Sequence, residues 1–428
     1  MQTILSYGMG VESTAILVRW LLEPETCPCP HEELLVISAQ TGDEYQDTKR
    51  DVEAHILPLM REHSVRFVQV ARHGHLEGDG VTLLDDSRSP TTLFIEGDYK
   101  LSDELRINGT VPQFGGAHKC SQKFKAFVIE TWLASSYRPC ISGARATPVR
   151  HAFGYNSDET KRVEKCIAAD AKRVAFGFNL DEPKRIAKAT LYDTPLRESF
   201  FPLVEWGWTR QDCMNYLMEA IGISVEKSAC VYCPFNALKD DSVRRHQEHP
   251  EQVADAMLLE HLSLSMNPRG TLYSGKSLIQ ITLDREDEKA TVAYRQRLKD
   301  SDWALYRVRR IYHAKKTDAG INPAKKGMAD RAVELLLRFP SQEQANEHLS
   351  ALAADFSTEV EFQRNIPYLY RERKGEVYPA REEFYTVAPA YVQTKARYGI
   401  NRFDEQWDSP QGSLLFVRTA ADEICFQP

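Results

Sequence analysis

Between Thr3 and Leu22 the chain runs from a short apolar segment through a loop with two glycines into a helix-like segment, an order that restricts the fold more than any other feature. Thr3 to Tyr7 read as a buried strand, while Ala15, Ile16, Leu17, Val18, Leu21 and Leu22 give a helix apolar over much of its circumference. The intervening loop, with Ser6, Gly8, Gly10, Ser13 and Thr14, aims backbone N–H groups and the positive end of a helix dipole at one point. Such a point suits an anion, phosphate above all. A plain strand-to-helix turn has the same local sequence, so the loop needs company before it carries a function.

The alternation continues. Glu33 to Ala39, Arg66 to Ala71, Pro139 to Gly143 and Arg173 to Phe178 are short apolar runs separated by helical or loop stretches. This predicts an α/β fold, a doubly wound and mostly parallel sheet with helices on both faces and ligands at the carboxyl ends of its strands. Residues 74–116 lack periodicity and read as an insertion or a mobile lid. Thr209 and Asp212 open a helix in the manner of a capping box, and Gly222 closes it. The first domain is expected over 1–240, followed by a connecting helical segment, 241–283. From about Asp284 charged segments with helix-like spacing predict an appended, mostly helical C-terminal domain over 284–428.

Bulk properties exclude several classes. No window of about 18 apolar residues appears, so no membrane span is expected. Met1 leads straight into the first strand without a basic and apolar leader, which predicts a cytoplasmic protein. Nine cysteines, an odd number without regular spacing, read as reduced thiols, some of them candidate ligands. The net charge of −7 argues against coating nucleic acid by bulk electrostatics. Locally, eight Lys or Arg between Arg307 and Arg331 face only Asp318 and Asp330, with Tyr306, Ile311 and Tyr312 interleaved. The basic stretch 306–331 fits a phosphate backbone, and equally a solvated basic helix or a contact for an acidic partner.

Further motifs follow the opening loop in order: Gln40-Thr41-Gly42 at a strand end, Cys120-Ser121-Gln122-Lys123-Phe124-Lys125, Gly143-Ala144-Arg145, Pro202-Leu203 with Trp208-Thr209 and Asp212-Cys213, and Cys230 to Pro234 with its Cys-x-x-Cys-Pro spacing. Together with Gly8-Met9-Gly10-Val11-Glu12-Ser13, these motifs resemble the phosphoadenosine phosphosulfate reductase family within the N-type ATP pyrophosphatases, over roughly residues 1–240. The loop departs from the family pattern, with Gly8 in place of Ser and Glu12 in place of Asp.

Residue chemistry supplies roles beside the resemblance. Gly10 lets backbone approach phosphates, Ser13 and Thr14 offer hydroxyls and N–H donors, and Glu12 holds Mg²⁺ or orients the loop. Arg145, just past an expected strand, can stabilise charge on the α-phosphate or on leaving pyrophosphate. Thr41 and Gly42 are placed to line the adenosine end; Lys123 and Lys125 read as a solvated helix face. Cys230 and Cys233 are close enough in sequence to bind one metal or cluster or to exchange a disulfide. The resemblance adds Cys120 as a third ligand, leaving open an iron–sulfur cluster, zinc or a persulfide, and Cys233 joins Glu12, Ser13 and Arg145 as a candidate catalytic residue. Cys140 and Cys213 read as core, and His151, His246 and His249 as satisfied histidines.

The resemblance implies an ATP pyrophosphatase that adenylates a substrate for sulfur transfer, as in relatives that place sulfur in nucleic acids, including the DNA backbone. A cysteine desulfurase is then the implied sulfur-donor partner, and DNA or another nucleic acid an implied substrate. Two alternatives stand beside it: a sulfonucleotide reductase, which would need a catalytic cysteine in a tail where only Cys425 lies, and a non-catalytic nucleotide-sensing module of a defence or mobile-element complex.

Overall fold

The computed structural model describes residues 3–113, 119–137, 149–152, 154, 156–158, 197–236, 240–273, 275–317, 320–397 and 399–408. The chain divides into two compact units, one formed by Met1–Leu101 with Lys119–Cys230 and the other by Ser102–His118 with Val231–Pro428.

The first unit is mixed α/β. Its six-stranded sheet comprises β1 (Thr3–Ser6), β2 (Leu34–Gln40), β3 (Arg66–Arg72), β4 (Val81–Ser87), β5 (Val149–Ala152) and β6 (Arg197–Phe200), in the order β4-β3-β2-β1-β5-β6. All neighbours are parallel except β3 and β4, which pair antiparallel at one edge. The chain steps outward from β1 to β3 on one side and returns to β5 and β6 on the other. Strands β1 and β2 are buried at almost every position because both faces are covered. Leu5, Tyr7, Val36 and Phe67 pack with helix α1 (Val11–Leu22) and with Cys213 and Leu217 of helix α2 (Arg210–Ile221). Ile4, Leu35, Ile37, Val68 and Val70 pack on the opposite face against Val128, Trp132 and Leu133. Helix α1 is buried at most positions because it packs against the sheet on one side and against α2 on another. The expected cap of α2 is present: the Thr209 hydroxyl accepts from the Asp212 N–H, the Asp212 carboxylate accepts from the Thr209 N–H, and Gly222 ends the helix at φ 69°.

The segment read as an insertion or lid carries β4 and, further on, a helix over Leu101–Asn108. The expected strands at Pro139–Gly143 and Arg173–Phe178 lie outside the described residues.

The second unit corrects the expectation of a mostly helical domain. It holds helices α3 (Pro250–Met266), α4 (Glu288–Lys299), α5 (Gln342–Asp355) and α6 (Ile400–Asp408), but its centre is a second, antiparallel six-stranded sheet. The strands are β7 (Trp303–Thr317), β8 (Gly320–Phe339), β9 (Glu361–Gln363), β10 (Ile366–Glu372), β11 (Ala380–Pro389) and β12 (Lys395–Ala396), in the order β12-β8-β7-β11-β10-β9. Leu262, Leu264 and Met266 of α3 pack on Tyr306, Val308, Tyr368 and Phe384. The charge pattern that reads as an amphipathic helix is a set of partners bonded within and across this sheet. Arg307 binds Glu383 at 2.6 Å, and Arg309 binds Glu334 at 2.7 Å. Arg310 reaches Glu382 and also donates to the Met266 carbonyl at the end of α3, while Arg331 donates to the Asn108 carbonyl. Leucine and alanine in β8 favour helix intrinsically, and pairing with β7 overrides that preference. Among the described residues no helix is long and apolar enough to cross a membrane.

Candidate nucleotide site at the head of the first helix

The opening loop leaves the carboxyl end of β1 beside the carboxyl end of β5, where the strand order reverses. The Ser6 hydroxyl and His151 Nε2 are 2.7 Å apart, tying these two strand ends together across the sheet. Gly10 is the N-cap residue of α1 at φ −91° and ψ 171°, and as glycine it brings no side-chain oxygen to the first-turn N–H groups. The left-handed conformation in the turn falls on Met9, at φ 59°, not on either glycine. A β-carbon at Gly10 would meet Glu12 Oε2 at 3.6 Å, and one at Gly8 would meet Ser13 Oγ at 4.0 Å. Neither glycine is demanded by backbone angle, and a β-carbon at either would make only ordinary van der Waals contacts.

A third glycine, which the motif reading passed over, closes the other side. A β-carbon on Gly154 would lie 3.1 Å from the Ser13 nitrogen and 3.3 Å from Glu12 Cβ, so the backbone after β5 rests against the first turn of α1. Nearby, Glu12 Oε1 accepts from Asn156 Nδ2 at 3.4 Å and forms an ion pair with Arg210 at the start of α2. Ser13 Oγ donates to the Gly10 carbonyl at 3.3 Å, and Thr14 Oγ1 lies 3.4 Å from the Tyr7 hydroxyl. The loop thus has donors on the backbone, one carboxylate and one guanidinium. A shallow depression adjoins it, lined by Met9, Thr14, Thr48, Asp51 and Glu226 among others.

Gly42 is required by both angle and space. Its φ is 89°, and a β-carbon there would fall 2.4 Å from Lys100 Cγ. The Gly42 N–H donates to the Ile95 carbonyl, and the Thr41 carbonyl accepts from Leu101, so residues 95–101 pin this strand end. Thr41 is buried, and its hydroxyl lies 3.2 Å from Cys230 Sγ. Glu44, 1% exposed, pairs with Lys125 at 3.3 Å and bridges to Cys230 through the backbone. Lys125 is therefore engaged with a buried carboxylate, in contrast to the solvated face expected of it.

The three cysteines expected as ligands are divided between the two units. Cys120 and Cys230 belong to the first unit and Cys233 to the second. Among the described residues of each unit taken alone, no three His, Cys, Asp or Glu ligand atoms lie within 4.8 Å of one another. Burial, and then the Glu44 carboxylate, push the Cys230 thiol well above its ordinary range, which keeps it protonated. Cys213 is buried in the core of the first unit, as expected. Gly143 and Arg145 lie outside the described residues.

Sequence reasoning missed Arg210, Gly154, Asn156 and the pairing of His151 with Ser6. Arg210 stood inside a quoted motif, between the capping residues Thr209 and Asp212. The Gly154-x-Asn156 spacing was the available signal for the other side of the site. Comparison with protein-family models, with curated proteins and with solved structures finds no match for the chain.

Proposed function

We propose that the first unit binds ATP at the head of α1 and catalyses adenylyl transfer to a substrate oxygen, releasing pyrophosphate to prepare that substrate for sulfur transfer. The observation that carries the reading is the convergence of Gly10, Gly154 and Arg210 on the uncapped first turn of α1, at the reversal of a sheet read here as doubly wound. Backbone N–H groups and the helix dipole bind the phosphates there. Glu12, beside Gly10, would hold a Mg²⁺ brought in with the nucleotide. Arg210 exchanges its Glu12 contact for the nucleotide's negative charge. A substrate oxygen attacks the α-phosphorus, the new P–O bond forms, and the bond to the β-phosphate oxygen breaks with pyrophosphate as leaving group. The adenylated oxygen is then a good leaving group for an incoming sulfur nucleophile, delivered by a separate sulfur-donor protein.

The test is pyrophosphate release from α-labelled ATP, with Glu12→Ala, Arg210→Ala and Gly154→Ala compared with the unaltered chain. Loss of at least tenfold in release by all three, with folding intact, is the expected result. Gly154→Ala should weaken ATP binding because its new methyl group presses on the Ser13 nitrogen. ATP binding without release by the unaltered protein would replace the enzyme with a nucleotide sensor, and absence of both would refute the site.

A further inference from the structure

The basic stretch of the sequence separates into two halves with different fates. Arg307, Arg309, Arg310 and Arg331 are spent on carboxylates and helix-end carbonyls inside the second unit. Lys315, Lys316, Lys325 and Lys326 instead lie exposed on the outer part of the β7–β8 hairpin.

At the base of that hairpin three cations from separate segments gather on one ring. Lys326 Nζ lies 4.8 Å from the centre of the Tyr312 ring, Lys374 Nζ 5.5 Å, and Arg269 Cζ 5.7 Å. Lys374 is also 5.2 Å from the Tyr378 ring. Tyr312 is buried, and its hydroxyl is fixed between Arg269 at 2.7 Å and Glu382 at 2.6 Å. Glu382 is in turn shared with Arg310. Among the described residues neither Lys326 nor Lys374 has a carboxylate within ion-pair distance, so these cations face one another with a single, already shared acidic group. Partial burial, and then the neighbouring Arg269 and Lys374 charges, lower the Lys326 ammonium below its ordinary range. Cation–π contacts hold the heads in place but do not neutralise them.

We propose that Arg269, Lys326 and Lys374 around Tyr312, extended by the exposed lysines of the β7–β8 hairpin, form a binding surface for the phosphate backbone of double-stranded nucleic acid. An extended two-stranded ribbon has the width that a major groove admits, and lysines on both of its strands meet phosphates on either side. Residues 313–330 contain no Phe, Tyr or Trp, and Tyr312 is covered, so the arm offers no platform on which the bases of a single strand would stack. The contacts are to phosphate, which makes the surface a positioning device without base readout. The site stands in the second unit and does not depend on the nucleotide reading of the first.

The experiment measures binding of a fluorescently labelled 20-base-pair duplex to the full chain by anisotropy across a salt series, without ATP. The double variant Lys326→Glu/Lys374→Glu should weaken binding at least tenfold and reduce the slope of log K against log salt by about 2, since each lost phosphate contact removes roughly 0.9. Lys289→Glu, an exposed lysine on α4, should change affinity less than about twofold. Because the variant relieves repulsion, its thermal midpoint should not fall, which separates lost binding from lost folding. Pyrophosphate release measured on the same variants without DNA reads the first unit independently. Absence of duplex binding, binding unaffected by the double variant, or tighter binding of a single strand or an acidic protein than of the duplex would overturn the proposal.

Discussion

Glu260 provides the sharpest test of how the second unit holds together. It is fully buried in α3, and its carboxylate accepts four hydrogen bonds from one loop. Oε1 takes the N–H groups of Leu272 and Leu278 at 2.7 and 2.9 Å; Oε2 takes the Ser277 hydroxyl at 2.7 Å and the Ile279 N–H at 2.9 Å. Leu278 and Ile279 begin a short helix, so the negative charge also faces the positive end of a dipole. Glu260→Ala removes every acceptor at once. Each buried donor left unpaired costs about 1–3 kcal/mol, and three are backbone N–H groups, so a loss of about 4 kcal/mol is expected after partial rehydration. Glu260→Gln keeps the shape and one oxygen but turns an amide NH₂ toward existing donors, for an expected loss of about 2 kcal/mol. Urea unfolding gives the magnitude, and hydrogen exchange at residues 272–279 gives the location. A loss below about 1 kcal/mol for the alanine variant, with unchanged exchange in that loop, would refute the assignment.

Two further outcomes follow from buried titrating groups. Burial holds His261 down at about 4, with Nδ1 2.7 Å from the Tyr294 hydroxyl; because the unfolded chain binds this proton more readily, His261 contributes stability that is fully present above about pH 6.5 and is lost as pH falls toward 4. The loss is about 3 kcal/mol, and His261→Phe should flatten that part of the stability profile; an unchanged profile would show that this residue is not responsible. Cys230, held protonated by burial, should resist iodoacetamide in the folded chain at pH 8 while half-exposed Cys120 is alkylated, as read by peptide mass spectrometry; equal rates would contradict the buried Thr41–Cys230 contact.

What the sequence by itself determined is local and periodic. The strand, loop and helix from Thr3 to Leu22, the next two parallel strands and the capping box of α2 were legible because each is written in neighbouring residues: a period, a glycine, a cap. Such signals fail where partners lie far apart. MADRAVELLLRF favours helix when taken alone, yet in β8 it pairs with β7, whose arginines meet Glu334, Glu382 and Glu383 across the sheet. The same limit applies to the candidate site. Gly10, Glu12 and Ser13 could be named from the loop, but Gly154 and Arg210 reach it only because β5 returns beside β1 and α2 packs on α1. Likewise, the cation cluster on Tyr312 joins three segments more than 100 residues apart at their extremes, 269 to 374. Backbone pairing and burial reward contacts at any sequence separation, whereas a local pattern records only its own neighbourhood, so distant partners were for the tertiary structure to decide.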